Sequence, residues 1–236
     1  MIAVFVNMAT VIVGSLIGIL LRNRLKERFQ NALIKALALC TAVIGLSSAL
    51  ETEALLCVIL SMALGTALGE LIRIDDGIER AGDFLKAKLV PNSGSDSRFT
   101  EGFVSACILF CIGSMTIMGS LEAGIHHNYG IIYAKSALDF VSSMAFGAAM
   151  GFGVTCSAAF ILVFQGGLTL LSGLLAPALS PAAVAEMSAV GGTILIGMAL
   201  NMLGLGKERI KVANMLPAIF LPLLYFPLEK LLENFF

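Results

Sequence analysis

The chain has 236 residues, 58% hydrophobic and 13% charged, with a formal net charge of −1 and a mean hydropathy of +0.95. Soluble domains carry about 25% charged residues and fewer apolar ones, so a water-soluble globular enzyme is excluded, and no basic tail points to nucleic acid. What remains is an all-α polytopic membrane bundle, because long unbroken apolar runs, without strand-like alternation, also exclude a β-barrel.

A membrane-crossing helix needs about 20 apolar residues. Eight such runs are expected, over 2–21, 32–50, 54–72, 103–121, 131–150, 154–175, 187–206 and 212–228. The first starts at Met1 without the basic region or cleavage site of a signal peptide, so it is expected to stay as a span. The runs divide the chain into a three-span group (1–72), a non-membrane segment (73–101) and a five-span group (102–236). In the middle segment Ile74, Ile78, Leu85 and Leu89 recur at helical spacing among charges, predicting an amphipathic helix on the membrane surface. The following 91–97 has the composition of a linker.

The basic residues give the orientation. Arg22, Arg24, Lys26, Arg28 and Lys35 follow the first span; Arg73, Arg80, Lys86, Lys88 and Arg98 follow the third; Lys207, Arg209 and Lys211 follow the seventh. All of these fall on one side of an eight-span chain, whereas Glu51, Glu53, Glu122 and Glu186 fall on the other. Basic loops stay in the cytoplasm, which places both termini outside.

Three segments echo three others: 40–51 and 111–122, 61–70 and 143–152, 7–21 and 186–200. Each shift is an even number of spans, which predicts parallel internal repeats. Gly14 and Gly18, Gly65 and Gly69, and Gly147 and Gly151 have the GxxxG spacing of close helix contacts, either within the chain or in a homodimer. The five cysteines lie in apolar runs, without metal-site spacing, and read as small core residues.

An ionisable side chain at mid-membrane costs about 2.5–3.5 kcal/mol, so it needs a partner or a task. Asp139 lies about eight residues into span five, with Lys135 one helical turn before it. The pair reads either as a structural ion pair or as a cation- or proton-sensitive group facing a polar cavity, with Ser142 on the same helix. Further polar or helix-loosening residues gather in the second half: Ser157, then Gln165 and Gly166, where the helix is expected to open; Glu186, Gly191, Gly192 and Asn201 in span seven; Asn214 and Pro217 in span eight. Pro217, Pro222 and Pro227 would free the carbonyls of Ala213, Ala218 and Leu223. These residues are the candidate substrate- or ion-binding set. No nucleotide motif, zinc motif or cofactor signature is found, so no metal or cofactor is expected. Intramembrane catalysis is not expected either, because mid-membrane carries one clear carboxylate and the two histidines fall in a loop.

The segments K-S-A-L-D (135–139), Ser157 to Gln165-Gly166, E-M-S-A-V-G-G (186–192) and N-M-L-P-A (214–218) resemble the bacterial family catalogued as domain of unknown function 554, the YdfK/YqgA-like membrane proteins. The resemblance covers essentially the whole chain. It implies a multi-pass protein of the bacterial inner membrane, loosely described as a transporter, with no assigned substrate. The function expected from the residues is a secondary transporter or permease for a small solute or cation, coupled through Asp139. The alternative is a non-transporting structural, assembly or lipid-binding membrane protein.

Overall fold

The computed structural model describes residues 1–22, 26–89, 98–175 and 179–233, which are helical almost throughout. The expected linker 91–97 and Arg24 lie outside the described residues. Ten α-helices follow in order: α1 (Ile2–Arg22), α2 (Glu27–Ala49), α3 (Leu55–Ile72), α4 (Ile74–Leu89), α5 (Arg98–Cys111), α6 (Ser114–Ile125), α7 (Gly130–Met150), α8 (Phe152–Leu175), α9 (Pro181–Leu203) and α10 (Pro222–Glu233). A 3₁₀ segment, Val212–Phe220, precedes α10.

Helix limits follow local chemistry. At the start of α9, Ser180 accepts a hydrogen bond from Ala183 N–H, and Pro181 occupies the first turn. Gly204 ends the same helix in the left-handed conformation, with φ of 69°. The amphipathic α4 forms as expected and presses Ile78 and Leu85 onto the core. Gly151, at φ of 84°, is the single residue between α7 and α8.

Two expectations about helix breaks are corrected. The run 103–121 is not one helix: Phe99–Cys111 and Met115–Ile125 meet at a bend of 59°. Conversely, α8 runs unbroken through Gln165, Gly166 and Gly167, because its backbone hydrogen bonds need no side chain and glycine alone does not open a packed helix. At Pro217 the chain winds tighter, into 3₁₀ geometry, and the Ala218 carbonyl is taken by Leu221 N–H.

Six helices are long and apolar enough to cross a membrane, or seven if the bent α5–α6 pair forms one span. The 21-residue α7 is long enough to cross but, carrying Lys135 and Asp139, is not among them. Polarity is inverted relative to a soluble protein. Leu71 (83% exposed), Leu174 and Val163 face outward, while Asn7, Gln165, Glu186 and Asn214 are buried. An apolar exterior of this extent is a lipid-facing surface.

The principal neighbours of the first three helices lie in the second half of the chain: α1 packs on α7 and α8, α2 on α9, and α3 on the 3₁₀ segment. Small residues allow these approaches. A Cβ at Gly18 would stand 2.1 Å from Met144 O, and one at Gly147 would stand 2.5 Å from Ser15 O. Gly45 and Gly192 face each other across the α2–α9 contact, and Gly65 and Gly69 sit on Ala218 and Asn214. Gly14 approaches Phe140 and Ser143, and Gly151 approaches Arg22, so all six GxxxG glycines are used in contacts within the chain. Of the cysteines, Cys57, Cys107 and Cys111 are buried, Cys156 is half-buried and Cys40 is exposed on α2. Of the echoing segments, 40–51 lies at the end of the continuous α2, whereas 111–122 contains the α5–α6 break.

The tightest approach gives a stability prediction. A Cβ at Gly69 would fall 1.8 Å from the Asn214 carbonyl oxygen, a backbone atom that cannot swing aside. Gly69→Ala is expected to lower the unfolding free energy by about 3 kcal/mol, at the upper end of overpacking costs. Thermal unfolding of the purified protein in detergent measures it; an unchanged midpoint would mean that α3 and the 3₁₀ segment are not in contact.

Candidate functional site

The residues expected to form one site fall into four groups. The first contains Lys135 and Asp139, one turn apart on α7, joined by a hydrogen-bonded ion pair and both almost fully buried. Helical spacing of four residues places both on one face, and that face meets the α5–α6 break. The two side chains line a half-open cavity of about 240 Å³, together with Ile44 and Ser48 of α2, Ile112 and Gly113 of the break, Thr116 of α6 and Leu195 of α9. Ser142, also on α7, lines it as well. That volume holds several waters, or a solute of a few heavy atoms.

The break is built by Gly113. Its φ of 135° and ψ of 153° belong to a region open in practice to glycine alone. A Cβ there would touch nothing within 4 Å, so conformation, not space, requires the glycine. The first turn of α6 has no side-chain cap, and Thr116 Oγ1 donates to the Phe110 carbonyl at 3.4 Å. Gly113→Ala is expected to cost about 1–3 kcal/mol despite the open space; thermal unfolding tests this, and a neutral substitution would argue against the bend.

Asn7 of α1 extends the polar group. Its side chain interacts with the Asp139 carboxylate, and its Nδ2 donates to Gln165 Oε1 at 3.0 Å. Lys135, Asp139, Asn7 and Gln165 thus form a buried polar row across α7, α1 and α8. Asn7 Oδ1 and Gln165 Nε2 have no hydrogen-bond partner among the described residues.

The second group centres on Glu186, which the structure places away from the cavity. Its carboxylate accepts from Thr52 Oγ1 at 2.6 Å, Glu53 N–H at 2.8 Å and Ala54 N–H at 3.0 Å. These donors precede the first turn of α3, so Glu186 caps another helix and neutralises its positive end. Asn214 does the same for α4: its Oδ1 accepts from Asp75 N–H at 2.6 Å, while Asp75 Oδ1 accepts from Ala213 N–H at 3.3 Å.

Asn201 belongs to a third group, at the end of α9 nearest the 204–211 loop. It donates to Ile210 O at 2.8 Å and accepts from Ile210 N–H at 2.9 Å, closing that loop as a strand neighbour would. The loop is also tied to α4 by the Arg209–Glu79 and Lys211–Asp76 ion pairs. Between them lies a larger cavity of about 540 Å³, lined by charged groups of α4 and the loop and by α5 and α9.

The remaining expected residues serve packing. Ser157 Oγ donates to the Val154 carbonyl at 2.7 Å within its own helix. Gly166 faces Met1 and Val4, Gly192 admits the backbone of α2, and Pro217 lies inside the 3₁₀ segment. Gly191 makes room for Ile112, whose Cγ2 would lie 2.4 Å from a Cβ there, so it shapes the cavity wall indirectly. Sequence reasoning missed Gly113 and Thr116, although a Gly-Ser pair inside the apolar run 103–121 was the available signal. It also noted Asn7 only as part of a repeat.

The chain matches, over residues 2–226, the family described as "Protein of unknown function (DUF554)". It is 27% identical over 220 residues to the uncharacterized membrane protein YdfK of Bacillus subtilis (strain 168), covering 92% of this chain and 91% of that protein. It is 30% identical over 222 residues to the uncharacterized protein YqgA of Escherichia coli (strain K12), covering 92% of each. No solved structure matches it.

Proposed function

This chain belongs to the DUF554 family, and from that premise we propose that it is a secondary transporter or permease for a small solute or ion, with the Lys135–Asp139 pair as its coupling element. The observation that carries the reading is a buried, hydrogen-bonded ion pair on the wall of a cavity formed where a helix is broken. Irregular backbone at membrane depth is tolerated where it lines such a space. An intramembrane ion pair there can exchange: a cation takes the place of Lys135 at Asp139, or an anion takes the place of Asp139 at Lys135.

The reading includes eight spans in a bacterial inner membrane, with α5–α6 as one broken span and α7 as another. The basic residues of the 204–211 loop and α4 then face the cytoplasm, the 51–54 turn faces outward, and both termini lie outside. Parallel duplication of the spans fits this arrangement. Glu186 and Asn214, being hydrogen-bonded to backbone, hold the frame and do not line the path; Asn201, which pairs with the Ile210 backbone, borders the larger cavity.

One observation favours a second reading. Lys135 and Asp139 satisfy each other within the chain, as the ion pair of a non-transporting structural or lipid-binding protein would. Ligand-dependent stability separates the two. A ligand at 100 times its dissociation constant stabilises by about 2.7 kcal/mol. In a thermal-shift screen of amino acids, organic acids and monovalent cations, at least one class is expected to raise the wild-type midpoint, and Asp139→Asn is expected to abolish that shift. A screen with equal shifts in both proteins would remove Asp139 from the site.

A further inference from the structure

The two cavities lie on one seam. Along α5, Glu101 and Ser105 line the larger cavity and Ile112 lines the one at Asp139; along α9, Met202 and Met198 line the larger and Leu195 the smaller. Positions 101, 105, 108 and 112 form one helical stripe, as do 191, 195, 198 and 202, each with steps of three or four residues. Ile112 meets Gly191 and shares the smaller cavity with Leu195, whereas Glu101 and Ser105 share the larger one with Met198 and Met202, so the helices run past each other in opposite directions. Between the cavities α5 contributes Ile108, which is 1% exposed, and α9 contributes Leu195 and Met198, each 2% exposed, all three within one apolar core.

We propose that these cavities are the inner and outer mouths of a single permeation path along the α5–α9 seam, and that Ile108, Leu195 and Met198 are the barrier residues closing it in this conformation. Ser105 and Ile112 are seven residues apart, so the barrier is only about 10 Å thick along the helix axis. It is apolar on both sides and carries no hydrogen-bonding side chain of its own, so it excludes ions by withholding water. The mouths differ in character. The inner one is ringed by charged groups of both signs, including Glu79, Lys86 and Arg209. The outer one has mostly apolar walls, and its polar side chains are the Lys135–Asp139 pair and the hydroxyls of Ser48, Thr116 and Ser142. Selection therefore falls to the outer cavity, and the barrier decides only whether the two mouths communicate. The break at Gly113 lies directly at the outer end of the stripe, so a change of angle between α5 and α6 would carry Ile112 and Ile108 relative to α9. This inference rests on the transport reading for its purpose, but its geometry can be tested without any solute.

The test uses the full chain in right-side-out and inverted membrane vesicles, in a Cys40→Ser/Cys156→Ser background. Ser142→Cys reports the outer cavity and Ser105→Cys the inner one, each probed with a membrane-impermeant charged methanethiosulfonate. The expected result is labelling of Ser142→Cys only from the face bearing the 51–54 turn, and of Ser105→Cys only from the face bearing the 204–211 loop. Adding Ile108→Ala or Met198→Ala is expected to raise labelling of Ser142→Cys from the loop face at least about tenfold. Labelling of both cysteines from a single face, or unchanged sidedness with both alanine variants, overturns the path. Sided labelling that breaks down as expected, combined with solute flux indifferent to Asp139, would leave the path standing and overturn the transport role of the pair.

Discussion

Replacing Glu186 with alanine is expected to destabilise the protein by about 3–6 kcal/mol, among the largest effects of any single substitution in this chain. The carboxylate holds three donors: one hydroxyl and two backbone N–H groups ahead of α3. Removing the acceptor takes the partner from Thr52 Oγ1 and Glu53 N–H at a cost of about 1–3 kcal/mol each, leaves Ala54 N–H with only its 3.2 Å bond to Thr52 Oγ1, and strips the helix of a negative charge at its positive end. The side chain is also 1% exposed, so little water can replace it without rearranging α9 against the 51–54 turn. Glu186→Gln keeps an acceptor oxygen but turns a donor toward at least one N–H, so an intermediate loss is expected. Chemical unfolding in detergent measures both. A loss below about 1 kcal/mol for the alanine variant would place Glu186 outside the frame and return it to the list of site residues.

The second large effect concerns the ion pair and has an internal control. Lys135→Ala alone leaves the Asp139 carboxylate buried opposite no cation, and removing one partner of a buried pair costs about 3–5 kcal/mol. Replacing both partners with apolar residues of similar volume, Lys135→Met with Asp139→Leu, is expected to be nearly neutral, since pairs in low-dielectric surroundings repay their own desolvation poorly. The double variant should therefore be more stable than the single one, a sign of coupling that independent sites do not show. A double variant as unstable as Lys135→Ala would mean that the pair is not a closed unit and that other groups depend on its charges.

How far these features were legible in the sequence follows from what each depends on. Helix limits depend on nearby residues: the amphipathic pattern of α4 was read, whereas Ser180-Pro181 and Gly204 carry the limits of α9 in local sequence although the expected run, 187–206, began six residues late. The Lys135–Asp139 pair was readable because it lies within one turn of one helix, in a chain where charge otherwise falls mostly in loops, on α4 or toward helix ends. The fates of Glu186 and Asn214 were not, because their partners, Thr52 and Asp75, are distant in sequence and set by packing alone, and that of Asn201 was not because its partner Ile210 depends on how the 204–211 loop folds back. The α5–α6 break was hidden for a different reason. Hydropathy averages over a window and registers composition, while the backbone angle of one glycine leaves that average unchanged. The opposite error arose at Gln165–Gly167, where two glycines suggested an opening but the neighbouring helices α1 and α6 hold α8 closed.

The remaining issue is whether the pair serves the frame or the passage of a solute, and the double variant answers it because fold and function are expected to part there. Wild-type protein and Lys135→Met/Asp139→Leu are reconstituted in liposomes containing a pH-sensitive dye and challenged with inward gradients of sodium, potassium, organic acids and amino acids. The expected result is a protein-dependent response to at least one gradient in the wild type and none in the double variant, although the two unfold at similar temperatures. A response of equal rate in both would contradict a coupling role for Lys135 and Asp139.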